Sequence, residues 1–227
     1  MRINHSYFSN LALNLAEKNL GKTKSNPSVG CIVVKNNSVI SSGITSVSGR
    51  PHAEFNALNK NINFNGSKMY VSLEPCTHYG KTPPCTTALI KSKVMKVIYS
   101  SKDLDKRTFN KSKKILNNKK IIVSSGLFKN KSAKIYKIYN FTRKNKLPYV
   151  SAKLACSKNL KILKRKGQIS NNYSKKVTHL IRSNNQAILT TYKTVNSDNP
   201  KLDCRIEGLE KFSPCKIIID KNLKIKP

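Results

Sequence analysis

Acidic side chains are scarce in this chain: ten Asp and Glu stand against 44 Lys and Arg, a formal net charge of +34 over 227 residues. Arginine is scarce too, at 7 of those 44, which leaves 37 lysines. Arg carries the planar fork suited to phosphates and base edges, so its shortage argues against a dedicated nucleic-acid surface. The lysines are also spread among Asn, Ser and Ile instead of forming one stripe. We read them as compositional drift toward A/T-rich codons, solvated, with a general pull on anionic substrates. Nucleic acid is not the expected partner. No run of about 20 apolar residues occurs, so no membrane-spanning helix is expected. Met1 to Tyr7 lacks the apolar block of a secretory signal. The six cysteines sit at irregular positions, which does not suit a disulfide framework. These absences point to a reducing compartment, the cytoplasm, and exclude a membrane partner.

What remains can build a core, with 38% hydrophobic residues and room for one large domain or two small ones. Ser6 is placed to cap a helix over residues 7–20 that Gly21 stops, with Phe8, Leu11, Ala12 and Leu15 on one face. Cys31 to Val34 and Val39-Ile40 flank Asn36-Asn37 as a hairpin. Residues 52–60 read as a helix carrying Phe55, Ala57 and Leu58 inward. Residues 69–73, 94–99 and 121–123 read as strands, and 85–93, 111–117 and 132–141 as helices. Strands alternating with helices predict a layered α/β domain over residues 1–145. A second segment, 146–227, opens with a strand at Tyr149 to Ala155, then a helix at 174–182 and strands at 187–190 and 216–220.

Chemistry concentrates at His52-Ala53-Glu54, Pro75-Cys76 and Cys85. One imidazole and two potential thiolates match the taste of zinc, and a catalytic site supplies three ligands and leaves the fourth position to water. His52 and Cys85 would each sit near a helix start, where partial positive charge favours the thiolate. Cys31, Cys156, Cys204 and Cys215 have no such setting and are assigned to packing. This order resembles zinc-dependent deaminases of nitrogen heterocycles, with their H-x-E…P-C-x-x-C pattern. That resemblance implies that Glu54 is the proton shuttle and not a ligand. The spacing departs from the pattern, because eight residues separate Cys76 from Cys85.

The run from Ser72 to Cys85 closely resembles the deaminase half of the bifunctional riboflavin-biosynthesis deaminase–reductase family, as do Asn26 to Val34 and His52 to Glu54. The likeness spans about Asn10 to Arg205 and is strong up to about Leu89. It implies a cytidine-deaminase-like domain followed by an incomplete dihydrofolate-reductase-like α/β domain. It implies zinc on His52, Cys76 and Cys85, with Glu54 catalytic, acting on a phosphorylated pyrimidine. It places Asn26 beside that pyrimidine, and the loop residues His78 and Lys81 within reach of the ribose phosphate. In the second segment Thr194 and Asp198 match positions that touch NADP, and Arg182, Leu202 and Arg205 match cofactor or substrate positions. Departures accumulate there: Asn159-Leu160 replaces an Asp-Gly pair, Lys166 and Gln168 replace a Ser and a Trp, and the Gly-rich phosphate cradle is missing. NADPH is therefore a cofactor only if a reductase activity survives, and a separate reductase is a possible partner. Relatives of this fold generally associate, so a homo-oligomer is expected. Two rival readings are an RNA-base deaminase and a basic scaffold with structural zinc, the latter needing a fourth ligand such as His78.

Overall fold

The computed structural model describes residues 4–162 and 169–226. They form two compact units, Met1–Tyr149 and Val150–Pro227. No helix among the described residues is long and apolar enough to cross a membrane.

The first unit is a five-stranded sheet with helices on both faces. Its strands are β1 (Gly30–Lys35), β2 (Ser38–Ile44), β3 (Lys68–Leu73), β4 (Lys96–Ser101) and β5 (Ile122–Ser125), in the order β2-β1-β3-β4-β5. β1 runs antiparallel to β2 and β3, while β3, β4 and β5 are parallel. The expected hairpin forms, with Asn36 at φ 50° and Asn37 at φ 63°. Two successive left-handed residues are what a tight turn matched to strand twist requires, and Asn tolerates them.

Alternation along β1 divides the core. Ile32 and Val34 cluster with Phe8 and Ala12 of helix α1 (His5–Lys18), together with Tyr70 and Ile98. Cys31 and Val33 face the other way and cluster with Ala53 and Ala57 of helix α2 (Ala53–Leu58). Helix α3 (Cys85–Lys91) packs beside α2, followed by α4 (Ser112–Asn117), α5 (Lys129–Ile135) and α6 (Lys137–Asn145).

Several local expectations are corrected. Asn4, not Ser6, caps α1, because its side chain accepts from the Tyr7 backbone N–H, and the helix ends at Lys18. Phe55 is 48% exposed, on the outer side of α2, while Ala57 is buried. The helix expected at 132–141 is two helices that break at Tyr136. Tyr136 is buried, and its hydroxyl bonds Ser72 Oγ at 2.6 Å and donates to the Ser28 carbonyl at 3.3 Å. That pins the helix junction to the sheet, a constraint that lies outside the local sequence.

One glycine positions the site. A Cβ on Gly43 of β2 would lie 2.2 Å from the Ala53 carbonyl oxygen and 2.5 Å from the Ala57 nitrogen. Only glycine therefore lets α2 rest its backbone on the strand. Gly43→Ala should destabilise the unit by about 2 kcal/mol, the scale of core overpacking, and weaken metal retention by shifting His52. Denaturant titration with metal analysis checks this.

The second unit contains α7 (Asn172–Ser183), β6 (Ala187–Thr191), α8 (Tyr192–Asp198) and β7 (Cys215–Ile219). Asn171 caps α7 by accepting from the Ser174 N–H at 2.8 Å. β6 and β7 pair in parallel from Ala187 with Cys215 to Thr191 with Ile219. Tyr149 to Ala155 does not form the expected strand. An extended apolar run becomes a strand only with a neighbour to share its hydrogen bonds, and the described residues supply none. Tyr149 instead stacks edge-on against Phe141 at 5.4 Å, within the first unit. Cys215 is exposed, so it is not the packing residue expected, whereas Cys31 and Cys204 are buried.

Candidate metal centre and active site

The parallel strands and two short helices bring three ligand atoms together. His52 is the residue that enters α2; its backbone carbonyl accepts from Asn56 N–H at 3.0 Å, and its ring makes no cap bond. Cys76 follows β3, and Cys85 opens α3 after Pro84. The His52 Nδ1 lies 3.3 Å from Cys85 Sγ and 3.6 Å from Cys76 Sγ. All three ligand atoms lie within 4.8 Å of one another. A tetrahedral zinc with bonds of about 2.0–2.1 Å to nitrogen and 2.3 Å to sulfur sets an N···S edge of roughly 3.6 Å. The donor set and its spacing therefore fit zinc.

The electrostatics also call for a cation. Cys76 is drawn down to about 4, chiefly by the hydrogen bond it receives from Cys85, against the effect of burial and with help from His52. The Cys85 backbone N–H donates to Cys76 Sγ at 3.2 Å, a fixed partner for a thiolate. Cys85 itself is pushed up, first by that hydrogen bond to Cys76, then by burial and by Glu54. Glu54 is pushed up to about 7 by burial and then by Cys76. His52 is raised by its hydrogen bond with Cys76, burial opposing. Two thiols and a carboxyl share one small space, and only one anion is comfortable there. A divalent cation reverses that balance, because it deprotonates coordinating thiols outright.

Glu54 is 3% exposed, in the first turn of α2 and next to Cys85. It does not join the ligand cluster, and neither does His78. His78 instead bonds Thr108 Oγ1 through Nδ1 at 3.2 Å. Among the described residues the cluster therefore has three members, which suits a catalytic zinc better than a four-ligand structural one.

The other sequence-derived positions are less convergent. Asn26 donates from Nδ2 to the Gly49 carbonyl at 2.9 Å, and its own carbonyl accepts from Thr23 Oγ1. It thus ties the turn at Thr23 to the segment leading into His52. Lys81 is exposed and makes no hydrogen bond or ion pair among the described residues. Next to it, Arg50 reaches Thr82 Oγ1. In the second unit Thr194 is half-buried on α8, and exposed Asp198 accepts from Ser197 Oγ at 2.8 Å. Arg182 donates to the Asp203 carbonyl at 3.0 Å, Arg205 pairs with the Asp203 carboxylate, and Leu202 is buried. Leu160 stands at φ 61° in a turn closed by Ser157, the position at which glycine would be unstrained. Lys166 and Gln168 lie outside the described residues.

Sequence reasoning missed three buried carboxylates beside the site: Glu74, Asp103 and Asp105. Asp103 accepts from Tyr139 Oη at 2.8 Å, and Asp105 takes Arg107 through two nitrogens at 2.9 and 2.6 Å. The available signal was their rarity: only five acidic residues precede Val150, and four of them are buried.

Comparison with known proteins agrees with this geometry. Residues 2–101 match the cytidine and deoxycytidylate deaminase zinc-binding region, and residues 148–227 match the RibD C-terminal domain. The riboflavin biosynthesis protein RibD of Aquifex aeolicus is 34% identical over 222 residues, covering 96% of this chain and 62% of that protein. RibD of Bacillus amyloliquefaciens is 33% identical, covering 96% and 60%. The structure of Acinetobacter baumannii RibD superposes with a TM-score of 0.89 at 31% identity, over 97% of this chain and 64% of that one. The Thermotoga maritima diaminohydroxyphosphoribosylaminopyrimidine deaminase/5-amino-6-(5-phosphoribosylamino)uracil reductase gives 0.83 at 30%, over 96% and 63%. The chain thus spans about three fifths of the relatives it matches, with the cytidine-deaminase-like unit first and RibD reductase-type sequence after it. It carries a deaminase zinc-binding region and a RibD C-terminal domain, and along nearly its whole length it is similar to the RibD proteins of riboflavin biosynthesis.

Proposed function

We propose that this chain hydrolytically deaminates 2,5-diamino-6-(5-phosphoribosylamino)pyrimidin-4-one to 5-amino-6-(5-phosphoribosylamino)uracil, releasing ammonia. The observation that carries this reading is the three-member His52, Cys76 and Cys85 cluster with buried Glu54 beside it. His52 Nδ1, Cys76 Sγ and Cys85 Sγ would hold zinc, which when bound acts as a Lewis acid that acidifies water to near neutrality. Glu54 then moves the protons. Its carboxylate takes one from the attacking water and passes it to the ring nitrogen. The water oxygen bonds the ring carbon that carries the exocyclic amine. Glu54 next takes the remaining proton from the hydroxyl now on that carbon and delivers it to the amine, the carbon–nitrogen bond breaks as the carbonyl forms, and ammonia leaves. A single buried carboxyl beside the cluster serves as acceptor and then donor in such a cycle.

Asn26, His78 and Lys81 are the proposed substrate contacts. Asn26 offers its amide to the pyrimidine, and Lys81 offers a point charge to the ribose phosphate. Lys81→Ala should raise KM for the phosphorylated substrate by about tenfold, the scale of one charge-assisted bond, and far less for the dephosphorylated analogue. Equal effects on both substrates remove the phosphate role.

Thr194 and Asp198 remain the proposed contacts for NADPH, should a reductase activity be present. We infer a cytoplasmic location, supported by six free cysteines, and self-association, which relatives of this fold generally show. The deciding experiment supplies the diaminopyrimidine with and without NADPH and identifies the products. Ammonia and the deaminated uracil should appear in both, and a ribitylamino product with NADPH would show that reduction occurs as well. No ammonia from zinc-loaded protein overturns the proposal.

A further inference from the structure

Glu74 is a buried carboxylate that the deamination steps do not use. It leaves the end of β3 two residues before Cys76, and its backbone N–H donates to the Ser101 carbonyl at 2.8 Å, continuing the pairing with β4. Its side chain accepts four hydrogen bonds. Oε1 takes the Ser112 hydroxyl at 2.8 Å and the Ser112 N–H at 3.3 Å, while Oε2 takes the Asp103 and Asn110 N–H groups, each at 3.3 Å. No Lys, Arg or His pairs with it among the described residues. In a chain with 44 Lys and Arg, this charge is held by dipoles alone.

The donors mark the two ends of one loop, from Asp103 to Ser112. That loop in turn grips the segment after Cys76: Thr77 Oγ1 donates to the Arg107 carbonyl at 2.8 Å, and His78 Nδ1 meets Thr108 Oγ1 at 3.2 Å. The far side of the loop is fixed by Asp103 on Tyr139 and by Asp105 on Arg107 and Arg143. A continuous line of hydrogen bonds thus runs from Glu74 through residues 103–112 to the segment that carries His78 and Lys81.

We infer that Glu74 is a positioning residue, which sets the substrate loop between Cys76 and Cys85 by closing the 103–112 loop beneath it. This rests on the deaminase reading for its kinetic consequence but not for its structural one. A carboxylate is acceptor-only, whereas an amide of the same size must turn its NH2 toward the Asp103 and Asn110 N–H groups or toward the Ser112 N–H, so at least one N–H donor loses its acceptor whichever way it faces. Glu74→Gln should therefore keep its zinc and its kcat but raise KM for the diaminopyrimidine by on the order of tenfold or more, as expected when hydrogen bonds to a charged group are lost. Amide hydrogen exchange at Asp103, Asn110, Ser112, Thr77 and His78 should quicken by a similar factor, with β1 and β3 unchanged.

Ser112→Ala, which removes one of the four donors and leaves the carboxylate in place, should show the same pattern with smaller changes. If Glu74→Gln does not fold, that milder variant carries the test alone. Wild-type KM, or unchanged exchange in the 77–78 and 103–112 segments, overturns the inference. If the wild-type chain releases no ammonia, the deaminase reading fails, and the exchange measurement still decides the role of Glu74.

Discussion

Glu54→Gln should leave zinc bound, one ion per chain, while turnover falls by at least about 10²–10⁴-fold, the range supplied by a positioned general acid–base group. The substitution is nearly isosteric, so the buried position at the start of α2 is still filled. The three ligand atoms belong to other residues, and the backbone bond that anchors His52 to Asn56 is untouched. What is lost is a group that can carry a proton, and in this mechanism one carboxyl carries it in both directions. Loss of metal in this variant would make Glu54 part of the ligand set. Near-normal turnover would remove it from the chemistry.

Cys76→Ala should have an effect of similar size by a different route. Cys76 is the thiol most easily ionised, at about 4, and it is the one that the Cys85 backbone N–H supports. Without it only His52 and Cys85 remain in the cluster, one ligand fewer than a catalytic zinc site needs. Changes in groups that merely support metal ligands cost roughly 10–100-fold in affinity or activity, and removing a ligand itself should exceed that. The variant should purify with little zinc and no detectable ammonia release, and added zinc should not restore activity. Stoichiometric metal with full activity in Cys76→Ala would displace the site from these residues.

The difference between these two outcomes shows what the sequence made legible. The proposed site residues His52, Glu54, Cys76 and Cys85 stand out because zinc-dependent deamination would need those side chains in that order, and they lie at or near the ends of regular elements. The hairpin at Asn36-Asn37 and the strand at Met69 to Leu73 were readable for the same local reason. Tyr136 was not, because the helix break it creates serves hydrogen bonds to Ser72 and Ser28, 64 and 108 residues away. Nor was Glu74, whose donors lie 29–38 residues further along. Such partners are chosen by the sheet order, which periodicity does not reveal. Phe55 misled because an aromatic at helical spacing usually faces inward, whereas α2 is only six residues long and buries its small side chains against Gly43. Tyr149 to Ala155 misled because a strand is a property of a pair.

The composition also takes on a different meaning beside the structure. Lysine is abundant throughout, but in the first unit four of the five carboxylates are buried, in or beside the His52–Cys85 cluster and the 103–112 loop.

Zinc X-ray absorption on freshly purified protein tests the central claim most directly. The account predicts one zinc per chain with two sulfurs at about 2.3 Å and two lighter nitrogen or oxygen neighbours at about 2.0–2.1 Å, one of the light neighbours changing when a pyrimidine analogue is added. Absence of stoichiometric zinc, or an inner shell that stays the same with the analogue because four protein ligands already fill it, would contradict the account.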